Sequence, residues 1–264
     1  MNYQNFIFPV FYGFLFSSIA SFARVFTQRA RMAFYESSRK KINDKWKFIL
    51  SGRSRCDHCQ EIIAPVYLIP ILGYIIARGK CSRCSSKISK NYIIEEVLAF
   101  MYGFIFYNLN SAAMPRLVIM PLYFFICYYI SKIDFYYFLI PGESLLSFAA
   151  LSVFEYIYIF HYPDLILSLS IPLTWFALLH LVNYLMPGKL GLADIHLILI
   201  LTFASGYPHS IHLPSLASFV AIPYFFIKNK NMPWKDARKT KIPFGLYLSL
   251  AFLLLKLIPM SDIF

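Results

Sequence analysis

Apolar runs of 16 to 22 residues recur along most of this 264-residue chain. One crossing of a bilayer takes about 20 such residues. Only 14% of the residues are charged, 59% are hydrophobic, and the mean hydropathy is +0.58. The solvent for most of this chain is therefore lipid. Lipid leaves free backbone groups unsatisfied, so the spans are predicted to be helices. The runs place eight spans, near 5–23, 92–109, 112–131, 144–160, 165–186, 192–207, 211–227 and 243–260. The first is too aromatic, and too poor in leading basic residues, for a cleaved signal peptide. The expected fold is an all-α polytopic membrane protein with about eight transmembrane helices and a small polar insert after the first. The parts are a first helix at 1–23, an insert at 24–91 and a transmembrane core at 92–264.

The net charge of +12 would suggest nucleic acid in a soluble protein, but its placement argues otherwise. Residues 24–90 hold 15 of the 25 Lys and Arg. With the eight spans above, eight more fall in loops on the same side: Lys132, Lys189, Lys228, Lys230, Lys235, Arg238, Lys239 and Lys241. The rule that basic loops stay inside puts this face in the cytoplasm. Arg116 and Lys256 are the exceptions, near the opposite ends of their spans. The expected partner is membrane lipid, with no nucleic acid. The apolar stretch 62–77 is broken by Pro65 and Pro70, and reads as a hairpin on the membrane surface or packed under the insert.

Within the insert, Cys56 and Cys59 form one C-x-x-C and Cys81 and Cys84 another, with 21 residues between the pairs. Two such knuckles suit a tetrahedral zinc with four thiolate ligands. Arg55, Lys80 and Arg83 beside the thiols favour the deprotonated form. The alternatives are four ordinary reduced cysteines, which the paired spacing disfavours, and two disulfides, which a reducing cytoplasm disfavours. Cys127, alone in an apolar run, reads as core packing.

Ionisable groups at the edge of spans are costly and are functional candidates by default. Asp134 follows the third span and Asp194 opens the sixth, both at the cytoplasmic edge in this layout. Two carboxylates brought close share a proton, and such a pair activates water and protonates a carbonyl. The plain alternative is that each acid caps a helix or marks a boundary. Gly191 is expected to permit close helix approach. Glu155 is expected to snorkel or pair at the outer end of its span. His180 reads as an internal hydrogen-bonded residue. His161, Asp164, His209 and His212 are assigned to the outer face, and His196 to a helix direction different from that of Asp194.

In their order along the chain these segments resemble the type IV prepilin peptidases, bifunctional membrane aspartyl proteases of the GxGD type that cut leader peptides and N-methylate the product. ASFARVFTQR (Ala20–Arg29) resembles the family's GSFLNVVIYR. RCDHC and RGKCSRCSSKIS resemble its paired cysteine insert, with Ile69 and Pro70 between the pairs. Tyr92 and Glu96 open the next span as in the family. Lys132-Ile133-Asp134 with Leu139, Ile140 and Pro141 resembles the first aspartate region, Gly191 to Leu197 the second, and Ile242-Pro243-Phe244-Gly245 the family's IPFG. The resemblance implies catalysis by Asp134 and Asp194, and zinc held by Cys56, Cys59, Cys81 and Cys84. It further implies S-adenosylmethionine as methyl donor, type IV prepilins or pseudopilins as substrates, and a bacterial inner-membrane enzyme with its active site facing the cytoplasm. The chain departs from the pattern at Arg24 (Asn in the family), Asp57 (Pro), Gly142 and Glu143 (Asp), Ala193 (Gly), His196 (often Lys) and Leu246 (Pro). These departures keep open a zinc-containing assembly factor that binds prepilins without cutting them. A transporter would use intramembrane acids too, but leaves the cysteine insert unexplained.

Overall fold

The computed structural model describes residues 4–35, 44–111, 113–158, 165–186, 190–233 and 240–259. His161, Asp164, Lys189, Lys235, Arg238 and Lys239 lie outside the described residues. The described chain is helical, its β-structure limited to two isolated bridges. It divides into two compact units, Met1–Ala113 and Met114–Phe264.

In the first unit, α1 (Gln4–Ala30) packs along α4 (Lys90–Asn110). Gly103 allows the approach: a Cβ there would sit 2.8 Å from the Tyr12 carbonyl oxygen and 2.9 Å from Phe16. Such small residues let helix backbones close up where lipid gives no hydrophobic drive to association. Tyr12 then packs on Phe16, Phe106 and Tyr107 at ring separations of 5.0, 6.2 and 5.7 Å. Between the two helices lies the insert, with the short helices α2 (Lys45–Ser51) and α3 (Leu72–Ile76). Arg29, in the last turn of α1, donates to the carbonyls of Ile49 and Gly52 at 3.0 and 2.6 Å. It thereby satisfies acceptors that the C-terminal end of α2 leaves open. The 62–77 stretch forms a 3-10 turn (Pro65–Leu68) and α3, with Val66, Leu68, Ile75 and Ile76 exposed.

The second unit holds α5 (Met114–Tyr137), α6 (Gly142–Tyr158), α7 (Leu165–Leu185), α8 (Leu192–Ser205), α9 (His209–Lys228) and α10 (Phe244–Leu257). The central helix is α8, which packs against α6, α7, α9 and α10. Being surrounded, it is apolar on most sides, as a buried helix must be. Ile195, Leu197, Ile198 and Leu201 are all buried. Cys127 is fully buried in the same core.

Each of the eight expected spans falls on a helix, but eight crossings do not follow from that. Among the described residues, five helices are long and apolar enough to cross a membrane: those at Phe6–Tyr35, Lys90–Asn110, Met114–Tyr137, Ser168–Leu185 and His209–Lys228. The helix α6 has 17 residues, and α8 and α10 have 14 each. At about 1.5 Å per residue, the last two reach roughly 21 Å of a core about 30 Å thick.

Candidate active site and metal centre

Asp134 lies in the last turn of α5, not beyond the helix as the apolar run implied, and is 4% exposed. Its Oδ2 accepts the N–H of Leu246 at 3.1 Å, across 112 residues of sequence. Leu246 lies in the first turn of α10, where N–H groups have no partner within the helix. The carboxylate thus caps a neighbouring helix, at the end whose dipole favours negative charge. Gly245 makes room for it: a Cβ there would come within 3.1 Å of Oδ2 and 3.3 Å of Cγ. The Phe-Gly of the IPFG segment is therefore a seat for the first aspartate.

Asp194 is the third residue of α8, whose N-cap is Gly191. Its carboxylate folds back so far that a Cβ on Gly191 would lie 2.8 Å from Oδ2. Gly191 therefore serves the acid, where close packing of helices was expected. The two carboxyl groups, one from α5 and one from α8, lie near enough for their charges to interact. Asp194 is half-buried and lines a cavity of about 360 Å³ with Trp175, Leu190, Ile198, Ser215 and Phe244. This is an apolar groove with one acid at its wall. Placing a side chain at Gly191 should push that acid out. Gly191→Val is expected to cut the reaction of the acid pair by about 10²-fold, the scale of a 1 Å misplacement. Far-UV circular dichroism should stay unchanged, and equal activity in the variant would refute the seat.

Other singled-out residues fall differently. Glu155 is 3% exposed and ion-paired with Lys256 at 2.8 Å. His209, expected on the outer face, is buried at 6% exposure. His180 packs edge-on to Phe176, and its buried Nε2 has no hydrogen-bond partner among the described residues. His196 bonds through Nδ1 to the Leu192 carbonyl at 2.7 Å.

In the first unit the two knuckles are built alike. Cys56 N–H bonds the Glu61 carbonyl and Cys81 N–H the Ser86 carbonyl, each at 2.9 Å. Gln60 and Ser85 both take φ 58° to close the turns. The His58 N–H points at Cys56 Sγ (3.4 Å) and the Arg83 N–H at Cys81 Sγ (3.5 Å). All four sulfurs lie within 4.8 Å of one another. Cys56 and Cys84 are 3.8 Å apart, and Cys59 and Cys81 4.0 Å. A tetrahedron with zinc–sulfur bonds of about 2.3 Å has edges of about 3.8 Å, so the donor set fits zinc. N–H groups of Cys59 and His58, with the Ser86 hydroxyl, hold the Cys56 thiol down at about 6. Ser86 also lies 3.1 Å from Cys84 Sγ, and with its own N–H lowers that thiol too. Metals take thiols in this deprotonated form. The cysteine spacing gave no sign of Ser86; the only signal was a hydroxyl two residues past a knuckle.

Residues 14–109 match the family model described as the Bacterial Peptidase A24 N-terminal domain, which takes in the cysteine loop and not the aspartates. A protein of Vibrio cholerae named prepilin leader peptidase/N-methyltransferase is 34% identical over 121 residues, 46% of each chain. Proteins of the same name from Bacillus subtilis and Pseudomonas putida are 29% and 26% identical. Their alignments cover 38% and 75% of this chain and 40% and 69% of the relatives. The chain thus spans under half the length of the first two relatives it matches. No solved structure matches it. The resemblance read from the motifs is borne out: this chain is a relative of the type IV prepilin peptidases, carrying at residues 14–109 the N-terminal domain of the bacterial A24 peptidases.

Proposed function

We propose that this protein cuts the leader peptide from type IV prepilin-like proteins at the cytoplasmic edge of the inner membrane, and N-methylates the new terminus. The observation that carries the reading is the acid pair. Two carboxylates from separate helices, each seated against a glycine, interact beside an apolar groove. One carboxylate removes a proton from water, and that water attacks the scissile carbonyl carbon. The other acid protonates the carbonyl oxygen. The resulting diol collapses as the C–N bond breaks, and the amine leaves with a proton. No bond forms between enzyme and substrate. The groove beside Asp194 receives apolar residues next to the cleaved bond, and the concentration of basic residues at 24–90 supports the cytoplasmic face.

Cys56, Cys59, Cys81 and Cys84 would hold the zinc. Four thiolate ligands would complete a zinc site, so a bound ion would serve as a staple for the loop rather than a source of activated water. Methyl transfer from S-adenosylmethionine is assigned to this first unit, on the names of the relatives and on the match at residues 14–109. Mass spectrometry tests both activities at once. Purified protein in liposomes, given candidate prepilins of the same genome and S-adenosylmethionine, should yield a shortened product with a methylated terminal amine. A shortened but unmethylated product would remove the second activity. Intact prepilin that stays bound would favour the assembly factor.

A further inference from the structure

Two hydrogen bonds join the metal loop to the first two turns of α4, and two contacts of Arg24 tie α1 to the same turns. The Tyr92 hydroxyl donates to Asp57 Oδ2 at 3.1 Å. The Arg24 guanidinium, from α1, lies 3.9 Å from the centroid of the Tyr92 ring. It is also paired with Glu95 at 2.7 Å. Glu96 accepts the N–H of Ile71 at 2.7 Å, fixing a residue at φ 64° in the stretch between the knuckles. Tyr92 thus presents an apolar face to a cation and a polar tip to an anion. Arg24 and Asp57 are both departures from the family pattern, and they meet on one ring.

The two knuckles are tethered unequally. The second runs into α4 within a few residues of Cys84. The first is bracketed by the α2 segment and by turns whose large apolar side chains are mostly exposed, and no long helix follows it directly. Asp57 follows Cys56 directly, so whatever fixes Asp57 fixes two of the four sulfurs. We propose that Tyr92 is a positioning residue, which through Asp57 holds the first metal knuckle on the α1–α4 pair, while Arg24 holds the Tyr92 ring. The proposal rests on reading the four cysteines as metal ligands. Loss of the ion requires the knuckles to part, and the strut resists that parting.

The test is zinc release from the full-length, zinc-loaded protein in detergent, timed after excess chelator with a metal-sensitive dye. Tyr92→Phe keeps the ring under Arg24 and removes only the donor. It should speed release by about 3- to 10-fold, the scale of one ordinary net hydrogen bond, since this one is exposed to solvent. Asp57→Ala should also speed release, and part of its effect is the lost negative charge beside the ion. The double variant should then release zinc no faster than Asp57→Ala alone, because both changes break the same bond. Wild-type release from Tyr92→Phe, or a double variant that multiplies the two single effects, overturns the strut. Tyr92→Phe decides alone if Asp57→Ala does not fold. Wild-type protein that purifies without zinc and takes up none would overturn the metal reading and the strut together. Zinc bound with Tyr92→Phe indistinguishable from wild type overturns the strut only.

Discussion

Asp134→Asn and Asp194→Asn should each reduce the proposed leader cleavage by about 10³-fold or more, and the double variant should be hardly worse than either single one. The magnitude follows from the division of labour. General acid–base transfer contributes about 10²–10⁴-fold, and in the proposed reaction one acid gives a proton while the other takes one. Groups that act as one unit are not additive when removed, so the second substitution finds little left to remove. Asparagine is the informative replacement at 134. Its amide oxygen still accepts the Leu246 N–H, and it fits the space that Gly245 leaves, so the cap on α10 persists. Lost cleavage with an unchanged melting temperature then reports chemistry. Cleavage is read as the mass of the released mature chain. Either single variant working within tenfold of wild type would sink the acid pair while leaving the fold untouched. It would also revive the plain alternative, for which the structure gives a concrete form: Asp134 does cap a helix, but a different one, far along the chain.

That double role marks where the sequence stopped being legible. Apolar run lengths located the helices, because burial in lipid demands continuous apolar sequence. They drew α8 and α10 longer than the 14 residues each helix has. A helix enclosed by other helices is as apolar as one facing lipid, and hydropathy does not tell the two apart. The four cysteines were legible because each knuckle is a local turn with fixed ligand spacing. Tyr92 and Asp57 were visible only as motif positions; their contact crosses 35 residues and leaves no local pattern. Gly191 was noticed for the wrong reason. In the sequence it is a small residue near a helix start, which suggests packing between helices. The space it leaves is filled by the side chain of its own helix, three residues on.

Glu155 and Lys256 show the same limit at the other end of the second unit. Glu155 was expected to snorkel or pair at the outer end of its span, and Lys256 stood out only as an exception to the charge pattern; nothing local named one as the partner of the other. They meet at 2.8 Å, 101 residues apart, with side chains 4% and 11% exposed. Glu155 also accepts the Tyr123 hydroxyl at 2.6 Å. Tyr123 packs on Phe148 and Phe252 at ring separations of 4.8 and 5.2 Å. One carboxylate therefore ties α5, α6 and α10 together. Lys256→Met should destabilise the protein by about 3–5 kcal/mol, because it strands a buried carboxylate with one neutral donor. Arg116 and His209 lie within electrostatic reach of Lys256, so removing its charge relieves some repulsion and draws the loss toward the lower figure. Adding Glu155→Leu to Lys256→Met should recover most of the loss, since an apolar pair of similar volume replaces a buried ion pair at little cost. The recovery is incomplete by about 1 kcal/mol, as the Tyr123 hydroxyl loses its strong acceptor and keeps the longer contact to Ser152 at 3.4 Å. Unfolding of each variant by denaturing detergent in mixed micelles measures the series. A double variant as unstable as Lys256→Met, or a single variant as stable as wild type, would show that the pair does not hold these three helices.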